Sequence, residues 1–476
     1  DLMLFASGQW NKYKNDRNSL YSLHYANEDM QDEVQNRYKQ EQGRSYHFNA
    51  KATYAIHFLT GWHLNISYAH HQQHSHDDNN LYRLDWDENY RQNGTLPSQA
   101  DYFRLRDDSN SPHNQLTVSE EHITGSLHRH DYDSQRGRYF SLTALMDASY
   151  VVQKGTYSRG AQISKPTDRH WLVTPSIDME YETHHWRDAY QFHYDTKMHS
   201  PNLEQMTDMD DTSNPLVLQK GNPNLRPSQI HNGTFSFRSR FGTHGQFVML
   251  RSNISIKANL VAMNSIYNSV SGAYTYIPIN VNGNWASNSS VDFRRALTTN
   301  RKMNLESRTT YDYVHGVDMK DNQKSTVAQH IVGQNIKLEY KFYSSAFSLL
   351  GGLSWREAQT NGEDYIHNVD FNYGASLQAN LPFKIHLSTD IKMYSRRGYV
   401  DRSLCTNNLL WNAQFDYSMC KGHLLISVKA FDILHQISTT YSTINSQARV
   451  ETWRLSLPSY FMLGLQYKFN KNPKQK

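Results

Sequence analysis

Apolar and polar side chains alternate with period two along most of this chain. Over 46–58, Tyr46, Phe48, Ala50, Ala52, Tyr54, Ile56 and Phe58 fall on one face, and His47, Asn49, Lys51, Thr53 and His57 on the other. After Leu59-Thr60-Gly61 the pattern restarts with Trp62, Leu64, Ile66 and Tyr68. Successive side chains of a strand point to opposite faces, so this stretch reads as a hairpin with one apolar and one polar side. The pattern recurs at 336–342, and at 371–381 with a return over 385–391 after Pro382-Phe383. It recurs again at 405–419, turning at Lys421-Gly422, and around His184-His185-Trp186. Roughly 18 to 20 strands, mostly of about 10–16 residues, are placed this way. Tight turns near 60, 185, 344, 382 and 421 alternate with long polar excursions at 77–115, 200–226, 317–324, 358–364, 397–404 and 435–456. Short turns at one end and long loops at the other describe an up-and-down antiparallel meander.

Alternation alone leaves open which face meets water. No run of about 18 apolar residues exists, which excludes transmembrane helices but not membrane-crossing strands. The 32 Tyr, 19 Phe and 9 Trp are too many aromatics for a disordered chain. Closing this many strands around an apolar interior would leave a lumen too wide for side chains to fill. The pattern therefore predicts an all-β fold: a large antiparallel up-and-down transmembrane β-barrel of about 18–22 strands. Its long loops are extracellular and its short turns periplasmic. It covers 1–470, with 471–476 a polar C-terminal tail. The alternative, several soluble β-sandwiches in tandem, requires shorter strands and linkers, and no linker composition divides the chain. Lys+Arg 49 against Asp+Glu 45 is close to balance and argues against nucleic acid as a partner. DLMLFASGQW lacks the basic start and apolar core of a signal peptide, so either a mature form begins here or upstream residues are missing. Cys405 and Cys420 are the only cysteines, which leaves no disulfide framework and no Cys-based zinc site. They flank one predicted strand roughly 50 Å long and are expected to be free thiols.

Two segments are more specific than alternation. Gly221-Asn222-Pro223-Asn224-Leu225-Arg226-Pro227, followed by Ser228-Gln229-Ile230-His231-Asn232, resembles a hallmark of TonB-dependent outer-membrane receptors. Met198–Met206 and Ser213-Asn214-Pro215-Leu216 look like the stretch that precedes it in the Bacteroidetes branch of that family. The C-terminal Ser459–Asn470, with Phe461, Leu463, Leu465, Tyr467 and Phe469 on one face, resembles the terminal strand of outer-membrane barrels. In such barrels that strand is read by the barrel-assembly machinery; here Lys471–Lys476 extends past the usual aromatic stop. Asn280-Val281-Asn282-Gly283-Asn284-Trp285 resembles a strand start of these barrels. Trp411-Asn412-Ala413 with Ala430–Gln436 resembles another shared region, with His435 where Asn is commoner. The resemblance spans about 190–470.

That resemblance implies a barrel of about 22 strands closed by an N-terminal plug that engages TonB, and uptake of a large or scarce nutrient. Ferric chelates, cobalamin, glycans and peptides are all substrates of such receptors. No plug-like domain or TonB-binding segment is recognisable, so TonB would act only through a plug that is absent here. Outer-membrane lipid is an expected partner, and a surface lipoprotein a further one. Two rival classes share the wall chemistry: a plugless scaffold or adhesion barrel, and a passive porin. Within the motif, Asn222, Pro223, Asn224, Leu225 and Pro227 are read as architectural, since the two prolines remove amide donors and suit a loop or strand entry. Tyr467 and Phe469 carry the terminal-strand signal.

Two local clusters are candidates for chemistry. In His70–Asp78, His74 and His76 share a strand face, and Asp77 or Asp78 adds oxygen ligands for a transition metal. The bland reading is a hydrated strand tip at the outer rim, since 25 His are spread through the chain. In the 77–115 loop, Tyr82, Trp86, Tyr90 and Tyr102 stand beside Arg104 and other charges, a set suited to stacking on sugar or chelate rings. Self-packing of that loop is the competing reading. Arg294-Arg295, Arg396-Arg397 and Asp208–Asp211 read as solvated rim charges. No nucleophile elbow or spaced carboxylate pair supports an enzyme, and no cofactor is implied.

Overall fold

The computed structural model describes residues 1–23, 33–90, 97–183, 187–214, 216–243, 245–362, 364–399, 402–436, 440–444, 449–453 and 459–469. The expected turn at His184-His185-Trp186, Pro215, Asn470 and the 471–476 tail lie outside the described residues.

Among the described residues, eighteen strands pair one after another in chain order. They are β1 (Leu2–Leu23), β2 (Glu33–Leu59), β3 (Trp62–Arg83), β4 (Pro112–Asp133), β5 (Arg138–Arg159) and β6 (Thr167–Thr183). There follow β7 (Asp188–His199), β8 (Ser228–Phe241), β9 (Gln246–Ala258), β10 (Asn284–Ala296), β11 (Met303–Lys320) and β12 (Gln323–Phe342). The last six are β13 (Ser345–Thr360), β14 (Asp364–Leu381), β15 (Ile385–Arg397), β16 (Asn407–Met419), β17 (Leu424–Phe431) and β18 (Tyr460–Tyr467). Every neighbouring pair is antiparallel. Among the described residues β1 pairs with β2 alone and β18 with β17 alone. Short strands at Gln162–Ser164, Asp211–Asn214, Val217–Gln219, Leu260–Tyr267 and Tyr274–Val281 join the sheet at the long-loop end. This is the up-and-down β-barrel wall that the alternation predicts.

The ladder keeps the apolar rows in register across the wall. Leu4, Ala52 and Tyr68 stand opposite one another, and so do Leu338, Leu349 and Ala375. A slip of one residue on any strand would turn its apolar row into the lumen, so register is strongly specified. The apolar rows face outward: Tyr54 is 54% exposed, Leu349 49%, Tyr373 57% and Leu463 70%. The total accessible surface is 29615 Å², where a compact protein of this mass would show roughly 18,000 Å². The molecule is hollow, its inner face carrying Asn, Ser, Thr, Gln and charged side chains. The apolar row of β2 from Tyr46 to Phe58 runs about 40 Å along the strand, or about 30 Å of height after barrel tilt.

Three expectations need correction. Strands reach 27 residues in β2 and 22 in β3, well beyond the expected lengths, so this side of the wall stands far above the membrane. The excursion at 77–115 is shorter than its polarity implies: β3 runs through to Arg83 and β4 begins at Pro112. The polar stretches at 317–324 and 358–364 are the tops of tall hairpins, not long loops. Asp321 and Asn322 turn the first with φ of 50° and 63°, the left-handed pair of a two-residue hairpin turn. Polarity marks height above the bilayer here as much as it marks loops.

Candidate functional site: the extracellular mouth

Three connections fold together at the long-loop end. The segment 200–211 leaves β7 and bends over the lumen side of β5. A side chain at Gly155 would overlap the Tyr157 ring and meet Leu203, so the missing side chain seats both. Leu203 is fully buried on that seat, and Asn202 caps its short 3-10 turn by accepting from the Glu204 amide.

The two hallmark-like segments meet in this region. Asn222 donates from Nδ2 to the Pro278 carbonyl at 2.9 Å, and its own amide donates to the Gln205 carbonyl at 2.7 Å. The Arg226 amide donates to Asn280 Oδ1 at 2.8 Å, and Asn280 Nδ2 donates back to the Arg226 carbonyl at 3.0 Å and to the Asn259 carbonyl at 2.8 Å. Asn284 repeats the device one strand on, holding both the amide and the carbonyl of Val317. Leu225 is buried beneath the turn. Pro223 and Pro227 sit where no ladder donor is required, and Asn224 is held by Asn222 Oδ1 at 3.0 Å. The motif residues thus staple loop, hairpin and wall. A cavity of about 210 Å³ lies against this staple, lined among others by Tyr157, Arg159, Glu204, Lys220 and Gly221. Arg159 pairs with Asp211 at 3.0 Å and Lys220 approaches Asp210 at 3.6 Å, so both signs of charge border it. Deeper in the lumen, two cavities of about 470 Å³ each share Asn335, Asn372 and Tyr394.

The 84–111 loop packs on itself. Tyr38, Tyr82, Leu84 and Leu105 form a buried cluster, with Tyr90 and Tyr102 against it. Arg104 bridges Asp87 and Asp101. Hydrogen bonds from Ser98 and Tyr90, with Arg104, hold the Asp101 carboxyl down at about 2. The Asn89 amide and Arg104 also lower Asp87. Of the expected substrate-contacting set, Tyr82, Tyr90, Tyr102 and Arg104 are therefore engaged within the cap. Trp86 is half exposed, under the Arg83 guanidinium, and Phe103 is 90% exposed. Self-packing, the competing reading of this loop, is what the structure shows; Leu84 and Leu105, two leucines in a polar loop, are members of its core that the sequence reading does not name.

The expected metal residues lie inside β3 and on two faces. His74 and His76 point outward, His74 Nδ1 lying 2.9 Å from Thr117 Oγ1 and His76 Nε2 lying 3.1 Å from Asp78 Oδ2. Asp77 points inward and accepts from the Tyr13 hydroxyl at 2.9 Å. The pleat separates neighbours in sequence, and among the described residues no group of three or more His, Cys, Asp or Glu is placed to hold a metal ion. At the far end, Tyr467 and Phe469 are exposed on the outward row with Leu463 and Leu465, as the terminal-strand pattern expects. Trp411, Asn412 and the 432–436 turn are joined as well: Asn412 Oδ1 accepts from the Asp432 amide at 3.0 Å and Ile433 donates to the Trp411 carbonyl at 2.9 Å. Both cysteines are free.

The profile of the outer membrane protein beta-barrel family matches residues 150–467, which is 318 of 476 positions. The chain belongs to this family. Its location is accordingly the bacterial outer membrane, and lipid surrounds the outward rows. No curated protein matches the chain. Among solved structures it is similar to BauA, the ferric preacinetobactin receptor from Acinetobacter baumannii, at 10% identity and TM-score 0.42, over 98% of this chain and 72% of that one. It is similar to the copper transporter OprC at 7% identity and TM-score 0.40, over 98% and 81%. It is also similar to the siderophore receptor PirA from Pseudomonas aeruginosa, at 12% identity and TM-score 0.32, over 98% and 74%. Likenesses this remote assign no substrate to this β-barrel.

Proposed function

We propose that this chain is the barrel of a TonB-dependent outer-membrane receptor, of the Bacteroidetes type, that takes up a large or scarce nutrient. The observation that supports the reading is the staple at the mouth. Two segments that each resemble receptor hallmarks, Asn222–Pro227 and Asn280–Trp285, are bonded to each other through Asn280 and Arg226. The barrel portion comprises 1–470 and the tail 471–476. TonB engages the plug of such a receptor rather than the wall. A substrate would first meet Trp86 on the cap and then the charged cavity beside Arg159 and Lys220. Assembly through the barrel-assembly machinery by way of β18, and a surface lipoprotein over the mouth, belong to the same reading.

Uptake by cells carrying the complete gene, with and without TonB, tests it over a panel of ferric chelates, cobalamin, glycans and peptides. Uptake of one compound, lost without TonB, supports the proposal. TonB-independent entry of the whole panel identifies a passive pore. No uptake, despite surface expression, identifies a scaffold or adhesion barrel.

A further inference from the structure

Asp168 and His170 stand two apart on β6, and Trp171, on the alternate row, points outward and is 59% exposed. The pleat therefore puts Asp168 and His170 on the lumen face. Ser200 follows β7 directly, at the start of the segment that bends over β5. The fold joins all three. His170 Nε2 lies 2.7 Å from Ser200 Oγ, and His170 Nδ1 lies 2.8 Å from Asp168 Oδ2. Serine, imidazole and carboxylate thus stand in the order nucleophile, base and orienter, each against the ring nitrogen that this order requires. The His170 side chain is 12% exposed and that of Asp168 19%, while Ser200 is half-buried. Asp168 Oδ2 and His170 Nδ1 are buried and out of line for a hydrogen bond with each other. Contacts of this kind in a substrate-free site commonly align only when substrate binds.

The wall and the segment hold these groups in place. Val151, fully buried, stands opposite His170, and Gln153, also buried, stands opposite Asp168. Gln153 Nε2 lies 3.5 Å from the carbonyl of Pro201, the residue after Ser200, and Leu203 is seated on Gly155 three residues along. The carboxylate beside Nδ1 favours the tautomer with its proton there, which leaves the Nε2 lone pair toward Ser200 Oγ. Asn202, two residues from Ser200, lines the cavity of about 210 Å³ beside Tyr157 and Arg159, a volume that limits an acyl group to a short one. An ester carbonyl is more electrophilic than an amide carbonyl, and an alkoxide leaves more readily than an amine. Esters are therefore the class suited to one serine backed by one His–Asp pair.

We propose that Ser200, His170 and Asp168 form a hydrolytic site at the barrel mouth that cleaves carboxylic esters of short acyl groups. Ser200 Oγ attacks the carbonyl carbon while His170 Nε2 takes its proton. The tetrahedral adduct expels the alkoxide, which leaves as the alcohol with that proton. Water, deprotonated by His170 Nε2, then attacks the acyl-Ser200 ester; the acid departs and the proton returns to Ser200 Oγ. Asp168 is a positioning residue throughout. The test treats the folded chain in detergent with a fluorophosphonate and locates the adduct by peptide mass spectrometry. The expected adduct is on Ser200. His170→Gln slows labelling by about a hundredfold or more, the contribution of a positioned general base. Asp168→Asn slows it too while hydrogen exchange over 200–211 stays native, which a mere clasp on the segment would not give. p-Nitrophenyl acetate gives a stoichiometric burst that Ser200→Ala abolishes. Heat-modifiable electrophoretic mobility reports whether each variant is folded; where one is not, the adduct site in the wild-type chain decides. No adduct on Ser200 in the folded wild-type chain, labelling at the native rate in folded His170→Gln, or an undiminished burst in folded Ser200→Ala overturns the proposal. Uptake and TonB play no part in the assay, so its outcome is independent of the transport reading.

Discussion

Replacing Asn280 with Ala removes three hydrogen bonds at once, to the amide and carbonyl of Arg226 and to the carbonyl of Asn259. Two of these are exposed and one is half-buried, so each belongs toward the lower part of the 0.5–1.5 kcal/mol range, or about 2 kcal/mol together. That loss raises the open population of the 216–227 segment by about thirtyfold. Barrel and segment are separate in stability, so the effect is local. The assay is limited trypsin digestion of the folded chain in detergent, following cleavage after Lys220. Arg226 precedes Pro227 and resists trypsin, so Lys220 reports the segment cleanly. While reclosing outpaces cleavage, the rate follows the open population. Asn280→Ala should accelerate cleavage after Lys220 by about one and a half decades. Asn280→Asp, which keeps the acceptor for the Arg226 amide and loses two donors, should fall between. An unchanged rate in a folded Asn280→Ala barrel would refute the idea that the two hallmark-like segments hold each other.

The other predictions concern single sites. His435 has φ of 58°, a left-handed conformation that Asn tolerates and a β-branched residue does not. His435→Asn should leave the midpoint of heat-modifiability unchanged or higher, while His435→Val costs about 1–2 kcal/mol. In single-cysteine variants on intact cells, an impermeant maleimide should label Cys405, before β16 at the long-loop end, and reach Cys420 only after permeabilisation; the reverse pattern would invert the orientation. The Asp101 carboxyl is lowered in the folded cap to about 2. Its stabilisation is therefore complete above the ordinary carboxylate range and is lost as pH falls toward 2. Hydrogen-exchange protection over 97–107, corrected for intrinsic rate, should drop from pH 5 to pH 2.5, and Asp101→Asn should weaken that dependence, Asp87 keeping its share through Arg104.

What could be read from sequence follows from what strand geometry encodes locally. The rows Tyr46–Phe58 and Trp62–Tyr68 specified face, register and hairpin because period two is a one-dimensional signal. The turns at 60, 344, 382 and 421 were equally local. The lipid side followed from strand number alone, by the argument that so wide a barrel has no fillable interior. Loop boundaries differ from the sequence expectation wherever polar strands climb above the bilayer, as at 317–324 and at 77–83, because there both faces are wet and alternation vanishes. The same pleat that allowed prediction of the wall divided Asp77 from His74 and His76. Contacts between distant segments left no local trace: the Asn280–Arg226 staple joins positions 54 apart, and the seat of Leu203 on Gly155 joins two elements that sequence alone treats as unrelated.

The orientation of neighbouring wall residues tests the account most directly. Leu349 and Leu350 are adjacent on β13, and the register places the first on the outward row with Leu338 and the second on the lumen row with Lys337. A fluorophore on a single cysteine at each position, in a background without Cys405 and Cys420, is read in liposomes against brominated lipid and aqueous iodide. Lipid should quench the label at 349 and iodide the label at 350. A label at 349 that lipid cannot reach would contradict the whole arrangement.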